Sequence, residues 1–494
     1  MLQQKEHLRF VTWLKLCLFL FLSLFVWQLG VKPARADTWT ICQSGCDFSS
    51  IQTAVNNMNV VDGDILSFTT ARETYAPFSL SNKALTFQGN DTEINADGLS
   101  AVIVINGNKN VSFDDFRILN GNSGSDGGGI QLNGGNLTLT NVMFNNNDAA
   151  DQGGALYIGN SNSIVTLDGV TISGGTAVSG GAIYNNGTLN ASNLTFTDNN
   201  ATNGGGLYNN GTTTLDDQSA AQRNNATESG GGFFNAAGAM LTLHNSDIAN
   251  NDAANGAGIA NEGTLETTNV NIGSLNVATQ AGGGLYNTGL ATLLNSTVVQ
   301  NQADTGAGIY NESTLTATNS TFSRNAGISN QHSANGPGLY NQSGTATLNN
   351  VTIHLTFGTS IFANGGTVTV GNTIISSALG TSGLTVCGGK GVFVSNGYNL
   401  ASDQSCAFLT ATGDIQGLNP DLNQITSPAD GAAYHSPKLT SPVIDAGNPA
   451  TPGSGGAACL ASDQRGLARP QSTRCDIGAV EIVVYRVHTP LVIK

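Results

Sequence analysis

Between Gly127 and Asn364, apolar residues return with a period far longer than that of a helix or a single strand. The anchors Ile130, Leu156, Ile183, Leu207, Phe233, Ile259, Leu285, Ile309, Leu339 and Ile361 lie 26, 27, 24, 26, 26, 26, 24, 30 and 22 residues apart. A small triplet precedes each anchor, and Tyr-Asn commonly follows, as in Gly180-Gly181-Ala182-Ile183-Tyr184-Asn185 and Gly282-Gly283-Gly284-Leu285-Tyr286-Asn287. A sustained period of this length predicts a solenoid. Inside each unit the apolar, Thr and Val spacing is two, as in Leu137-Thr138-Leu139-Thr140-Asn141 and Val368-Thr369-Val370-Gly371-Asn372. Short strands are therefore expected, with no segment suited to a crossover helix. Such strands bury their inward side chains only by stacking on the next coil, parallel and in register, about 4.8 Å away. The fold class expected is all-β, a right-handed parallel β-helix roughly 45 Å long over ten units.

Two columns of Asn run through the repeat. The first is Asn141, Gly169, Asn193, Asp217, Asn245, Asn269, Asn295, Asn319, Asn350 and Asn372; the second is Asn185, Asn209, Asn235, Asn261, Asn287, Asn311 and Asn341. Asn tolerates left-handed backbone angles at a bend, and its amide can donate to and accept from the same amide one coil on. These residues are read as structural ladders. The sequons Asn193-Leu194-Thr195 and Asn295-Ser296-Thr297 then arise because a ladder Asn precedes a strand Thr. A leucine-rich repeat needs Leu at fixed offsets, and a calcium-binding nonapeptide roll needs Gly-Gly-x-Gly-x-Asp; the mixed inward positions and the missing Asp fit neither.

The Gly-Gly-Ala-Ile run at 180 to 183, with Phe144-x-x-Asn147, Phe196-x-x-Asn199 and Phe322-x-x-Asn325, resembles the GGAI and FxxN repeats of polymorphic outer membrane proteins. That resemblance implies a β-helical passenger at a cell surface, adhesive rather than catalytic.

The flanks set the compartment. Lys5, Arg9 and Lys15 precede the apolar run Leu16 to Trp27, and Ala34-Arg35-Ala36 offers small residues for cleavage, so residues 1–36 read as a secretory signal. Its removal takes five of 18 Lys+Arg and one of 33 Asp+Glu, leaving 13 against 32 and a net charge near -19. Between Ile118 and Asn364 the only bases are Arg223 and Arg324, against 14 acids. An acidic surface of this kind repels nucleic acid and anionic headgroups, so no nucleic-acid partner is expected, and after cleavage of the signal no integral membrane segment is expected. Cys17 leaves with the signal. Cys42 with Cys46, Cys387 with Cys406, and Cys459 with Cys475 are near neighbours; of fifteen formal pairings the sequential one is simplest, fastening the ends where stacking is incomplete.

Residues 37–97 should hold the cap and first coils, and 98–372 the repeats. A short capped helix is expected over Ser49 to Val55 and the first strand over Gly63 to Phe68. This order is similar to the opening of pectin-lyase-like β-helices, where a helix plugs the apolar end of the stack. Residues 373–481 carry Ser395-Asn396-Gly397-Tyr398-Asn399-Leu400, Ser441-Pro442-Val443-Ile444-Asp445-Ala446-Gly447, Asp463-Gln464-Arg465-Gly466, Arg469-Pro470 and Cys475-Asp476-Ile477-Gly478-Ala479-Val480-Glu481. In order, these motifs closely resemble a choice-of-anchor Q domain, which implies an exported bacterial β-helix protein. The tail 482–494 has neither a sorting pentapeptide nor room for an autotransporter barrel, which tells against outer-membrane insertion.

Chemistry is sparse. The Asn-Thr-Asp, Gly-His-Gly and Arg-Ile-Lys motifs of polygalacturonase-like enzymes are missing, and the outward acid pairs are Asp114-Asp115 and Asp216-Asp217. A calcium-assisted lyase could use only Asp114, Asp115 and Arg117, a cluster read as a charged outer face. His244, His332, His354, His435 and His488 belong to no motif. Asp463, Arg465, Asp476 and Glu481 are expected to form an Arg–carboxylate lock between coil end and cap. No catalytic residue, metal site or cofactor is expected. The expected function is a secreted or cell-surface structural or adhesive protein meeting polysaccharide or surface protein along its faces. A polysaccharide lyase or glycoside hydrolase, and a displayed passenger of an outer-membrane system, are the alternatives.

Overall fold

The computed structural model describes residues 36–328, 334–377, 385–428 and 431–483. The signal with Cys17, the tail from Tyr485, His332 and His488 lie outside the described residues.

The chain is an all-β parallel solenoid of about 14 turns, about 65 Å of stack at the usual inter-strand distance. One coil shows the plan. Ile183–Asn185 leads through a tight turn into the five-residue strand Thr188–Ser192, then Thr195–Thr197, then Asn200–Asn203. Each strand pairs in parallel with its counterpart one coil on: Ile183 with Leu207, Thr188 with Thr212, Thr195 with Ala220, Asn200 with Asn225.

The corners explain the period. Every residue of the first expected column has positive φ, including Asn141 (52°), Gly169 (64°), Asn193 (50°), Asp217 (35°), Asn350 (54°) and Asn372 (49°). That left-handed bend falls once per coil, and Asn and Gly bear it with least strain. A second bend opens the glycine triplet. At Gly204 (φ 69°) an added Cβ would lie 2.4 Å from the carbonyl oxygen of Leu207, so only glycine fits.

Period-two alternation fills the interior. Leu189 and Ala191 point inward between the outward Thr188, Asn190 and Ser192, and Phe144, Phe196 and Phe322 are wholly buried. One continuous apolar cluster runs from Ile41 to Leu409.

The N-terminal end differs from expectation in two details. Thr38–Ile41 is the first strand, pairing Ile41 with Phe68, one strand earlier than expected, because four alternating residues are too few to show a period. The helix Ile51–Asn56 buries Ile51, Ala54 and Val55 in the core, while Ser50 at its N-cap makes no side-chain cap bond. Packing rather than capping holds it.

The last coil carries Val392–Ser395, then Leu400–Ala401, which pairs with Ile415–Gln416. All three disulfides are sequential: Cys42–Cys46, Cys387–Cys406 and Cys459–Cys475. The third does not fasten an end of the stack. Beyond Gly417 the chain returns along the flank, and Asn350, two to three coils back from the C-terminal end of the stack, donates to Cys459 Sγ (3.5 Å). Among the described residues no helix is long and apolar enough to cross a membrane.

Candidate functional site

Two sets of side chains leave the coils in files, one inward and one outward. The inward files hold the register. Asn185 Nδ2 donates to Asn209 Oδ1 (3.0 Å), and the chain of amides continues through Asn235, Asn261, Asn287 and Asn311 to Asn341 at 2.7–2.8 Å. A second file consists of the Asn of the Phe-x-x-Asn motifs and their counterparts. Asn199, Asn224, Asn251, Asn276, Asn301 and Asn325 are linked at 2.8–3.1 Å, each also donating to a backbone carbonyl one coil back. All of these amides are inaccessible to solvent, so each must find its partners inside.

The column expected to form a ladder behaves differently. Of Asn141, Asn193, Asn245, Asn269, Asn295, Asn319, Asn350 and Asn372, only Asn269 donates to another Asn of the column, Asn245 (2.6 Å). Asn141, Asn193 and Asn245 bond to Asp114, Asp168 and Asp217 at 3.3–3.5 Å. Their left-handed corners turn the side chains outward, where water competes. From Asn269 onward the same corner is covered by the returning C-terminal arm: Asn319 donates to Ser462 O (2.7 Å), and Asn372 to Ala457 O (2.9 Å).

The arm is tied down by polar side chains on the strands that begin at Thr297, Thr321 and Thr352. Gln464 donates to Thr297 Oγ1 (3.0 Å) and accepts from Thr321 Oγ1 (2.6 Å), while Thr352 Oγ1 accepts from the Ala479 N–H (3.0 Å). Within the arm, buried Arg469 pairs with buried Glu481 (2.5 Å) and donates to Asp476 O and Gly478 O. Arg465 pairs with Asp463 (2.7 Å) and lies over the Tyr434 ring, 5.1 Å from its centroid. The lock expected between coil end and cap is thus internal to the arm, because both guanidinium groups and their carboxylates fall between residues 463 and 481. Burial, with Glu481 nearby, pushes the Asp476 carboxyl up to about 7. A cleft of about 540 Å³ opens beside it, lined by Asp445, Gln471, Ser472 and Thr473. Asp476 is already occupied, accepting from the N–H groups of Asp445 (2.8 Å) and Ile482 (2.7 Å).

The outward files make the surface. The residue after each apolar anchor stacks on its counterpart: Tyr157, Tyr184, Tyr208 and Phe234 at 5.7, 5.3 and 4.8 Å between centroids. Ala260 interrupts the column, which resumes with Tyr286, Tyr310, Tyr340 and Phe362 at 5.0, 5.3 and 5.4 Å and within 8° of parallel. The rings cover one another's faces, so a ligand meets edges and hydroxyls rather than an open ring face. Burial raises the phenols, helped by Asp126 beside Tyr157 and Tyr184 and by Glu312 beside Tyr286 and Tyr310, so they stay neutral donors. Tyr310 spends its proton on Glu312 (2.9 Å).

Around the corner from this column stand the outward Thr of the five-residue strands. Thr316, Thr347 and Thr369 lie in register, and none makes a side-chain hydrogen bond among the described residues.

The acid pairs are separately engaged. Asp115 sits at a left-handed corner (φ 64°) and accepts from the Asp91 N–H (2.8 Å), Asp114 accepts from Asn141 (3.5 Å), and Arg117 turns to Glu93 (3.7 Å). Asp217 occupies the corner column, and Asp216 stands 4.0 Å from His244 Nε2. Among the described residues no group of three or more His, Cys, Asp or Glu could hold a metal ion. Sequence reasoning missed the buried pair His354 and His435, whose rings meet between solenoid and arm.

No protein-family model, curated protein or solved structure matches this chain.

Proposed function

We propose that this chain is an exported protein of the cell surface or extracellular space, with a structural and adhesive role. It holds glycan or protein ligands along its flank by binding rather than turnover. The reading includes a pectin-lyase-like β-helix with repeats of the polymorphic outer membrane protein type and a C-terminal region of the choice-of-anchor Q type. The observation that carries it is the two-part aromatic column, Tyr157 to Phe234 and Tyr286 to Phe362, half-exposed along one side except at the buried Phe234. Amphipathic rings held rigidly by their neighbours offer hydroxyls and apolar edges at little entropic cost, which favours recognition of sugars and protein surfaces. Three disulfides support an oxidising compartment. The test is binding of the full chain to an array of surface glycans and extracellular proteins, beside Tyr310→Ser and Tyr340→Ser. Binding that weakens in the folded variants supports the reading; binding indifferent to both rejects it.

A further inference from the structure

The aromatic column leaves a neighbouring surface unused. On the five-residue strands, the first and third residues face outward, and from Thr212 to Thr369 seven successive coils set them in unbroken register. Eleven of these fourteen positions are Thr, and Glu266 is the one charged side chain among them, in a chain of net charge -15. The pairs Thr314 and Thr316, Thr345 and Thr347, and Thr367 and Thr369 form the most regular part. All six are exposed or half-buried, and among the described residues no Thr of the fourteen spends its hydroxyl on a protein partner.

We propose that this threonine face binds the surface of ice. Its hydroxyls repeat about 4.8 Å along the stack and about 6.6 Å along each strand, one inter-strand spacing by two residue rises of a parallel strand. That rectangular lattice is close to the spacing of oxygen rows on faces of hexagonal ice. Threonine is β-branched and stiff at χ1, so each hydroxyl and methyl is in place before contact and little rotamer freedom is lost. Each hydroxyl both donates and accepts, as a lattice water does. Charged groups would orient water about themselves, and this face nearly excludes them, in keeping with an uncharged, repeating partner. A glycan is served less well here, since the fourteen positions hold no aromatic ring and one carboxylate. The C-terminal arm bonds the corner Asn, Asn349 at the last position of its strand, and side chains beyond the corner such as Thr297, Thr321 and Thr352, and among the described residues it makes no hydrogen bond to the fourteen positions.

The experiment uses the full chain in two measurements: partition into a slowly growing ice hemisphere, and the gap between melting and freezing of a single ice crystal. The protein is expected to enter the ice, facet the crystal and open a gap. Thr316→Tyr and Thr347→Lys should each abolish both effects with circular dichroism and melting unchanged, whereas Val178→Tyr, on another side of the coil, should leave them intact. If a bulky substitution unfolds a coil, the Thr316→Ser/Thr347→Ser double variant carries the test, a reduced gap being expected. Exclusion of the folded chain from ice with no gap overturns the proposal, as does an effect that survives the Thr substitutions.

Discussion

His435 of the returning arm meets His354 of a solenoid coil edge to face, with ring centroids 4.8 Å apart and planes at 86°. Each is engaged from its own side: His435 Nε2 with Ser323 Oγ (2.8 Å) and Nδ1 with Asn423 O (2.8 Å), His354 Nδ1 with Ser376 Oγ (2.6 Å). The arm is docked through neutral imidazoles.

That neutrality has a pH consequence. Burial pushes His354 down to about 3 and His435 to about 4 from an ordinary 6.5, with Arg324 adding to both. Below 6.5 the unfolded chain takes up protons that the folded chain refuses, so stability falls as pH drops from 6.5 toward 4, by up to about 1.4 kcal/mol per pH unit for each imidazole. Asp476, raised to about 7, works the opposite way across the same interval, because its folded form keeps a proton that the unfolded form releases above 3.8. A net slope of about one imidazole remains. Urea midpoints at pH 6.5 and 4.5 should show this loss, and His435→Gln should flatten it.

Inward and outward Asn should differ in cost. Asn251→Ala removes the acceptor of the Asn224 N–H and Nδ2 (2.9 and 3.1 Å) and the donor to Asn276 Oδ1 and Ala221 O (both 3.0 Å) at a fully buried site, and should cost about 3 kcal/mol. Asn193→Gly keeps the left-handed corner and should cost only a few tenths of a kcal/mol, whereas Asn193→Val should cost about 1–2 kcal/mol through backbone strain. Denaturant titration of the three variants checks the order.

Arg469 and Arg465 should part company in the same way. Arg469→Ala leaves Glu481 buried without its cation, a change worth about 3–5 kcal/mol. Arg465, about a quarter exposed, should cost less when truncated. Limited proteolysis of Arg469→Ala should cut first between residues 418 and 483, leaving the coils intact.

The Cys459–Cys475 bridge spans 16 residues of the arm, so replacing both by Ala should lower arm stability by about 3 kcal/mol. Hydrogen exchange should rise in the arm and stay unchanged at Leu265 and Leu315 in the coils.

The solenoid was legible because two of the left-handed bends in each coil fall on Asn or Gly and leave periodic marks, Asn141 to Asn372 and Gly127 to Gly336, whereas a third, at Asn146, Asp198, Arg223, Asn250, Gln300 and Arg324, varies in residue type. The direction of the side chains was not. Asn193 and Asn199 both recur once per coil, yet only the second faces inward, and a period alone does not separate a convex corner from a buried turn. The arm was illegible for another reason. Gln464 reaches Thr297 across 167 residues, and contacts between a repeating and a non-repeating segment leave no spacing to read. His354 and His435, lone histidines in sequence, acquire their significance only from that docking. The aromatic column could have been found from Tyr184, Tyr208, Tyr286 and Tyr310 at a fixed offset from the glycines.

The account rests on a flank, rather than a pocket, meeting the outside world. Hydrogen exchange of the full chain, free and bound to whichever glycan or protein it retains on the array, tests this most directly. Protection spread along successive coils beside Tyr286, Tyr310 and Tyr340 is the predicted result; protection confined to the arm cleft beside Asp445 and Thr473 would contradict it.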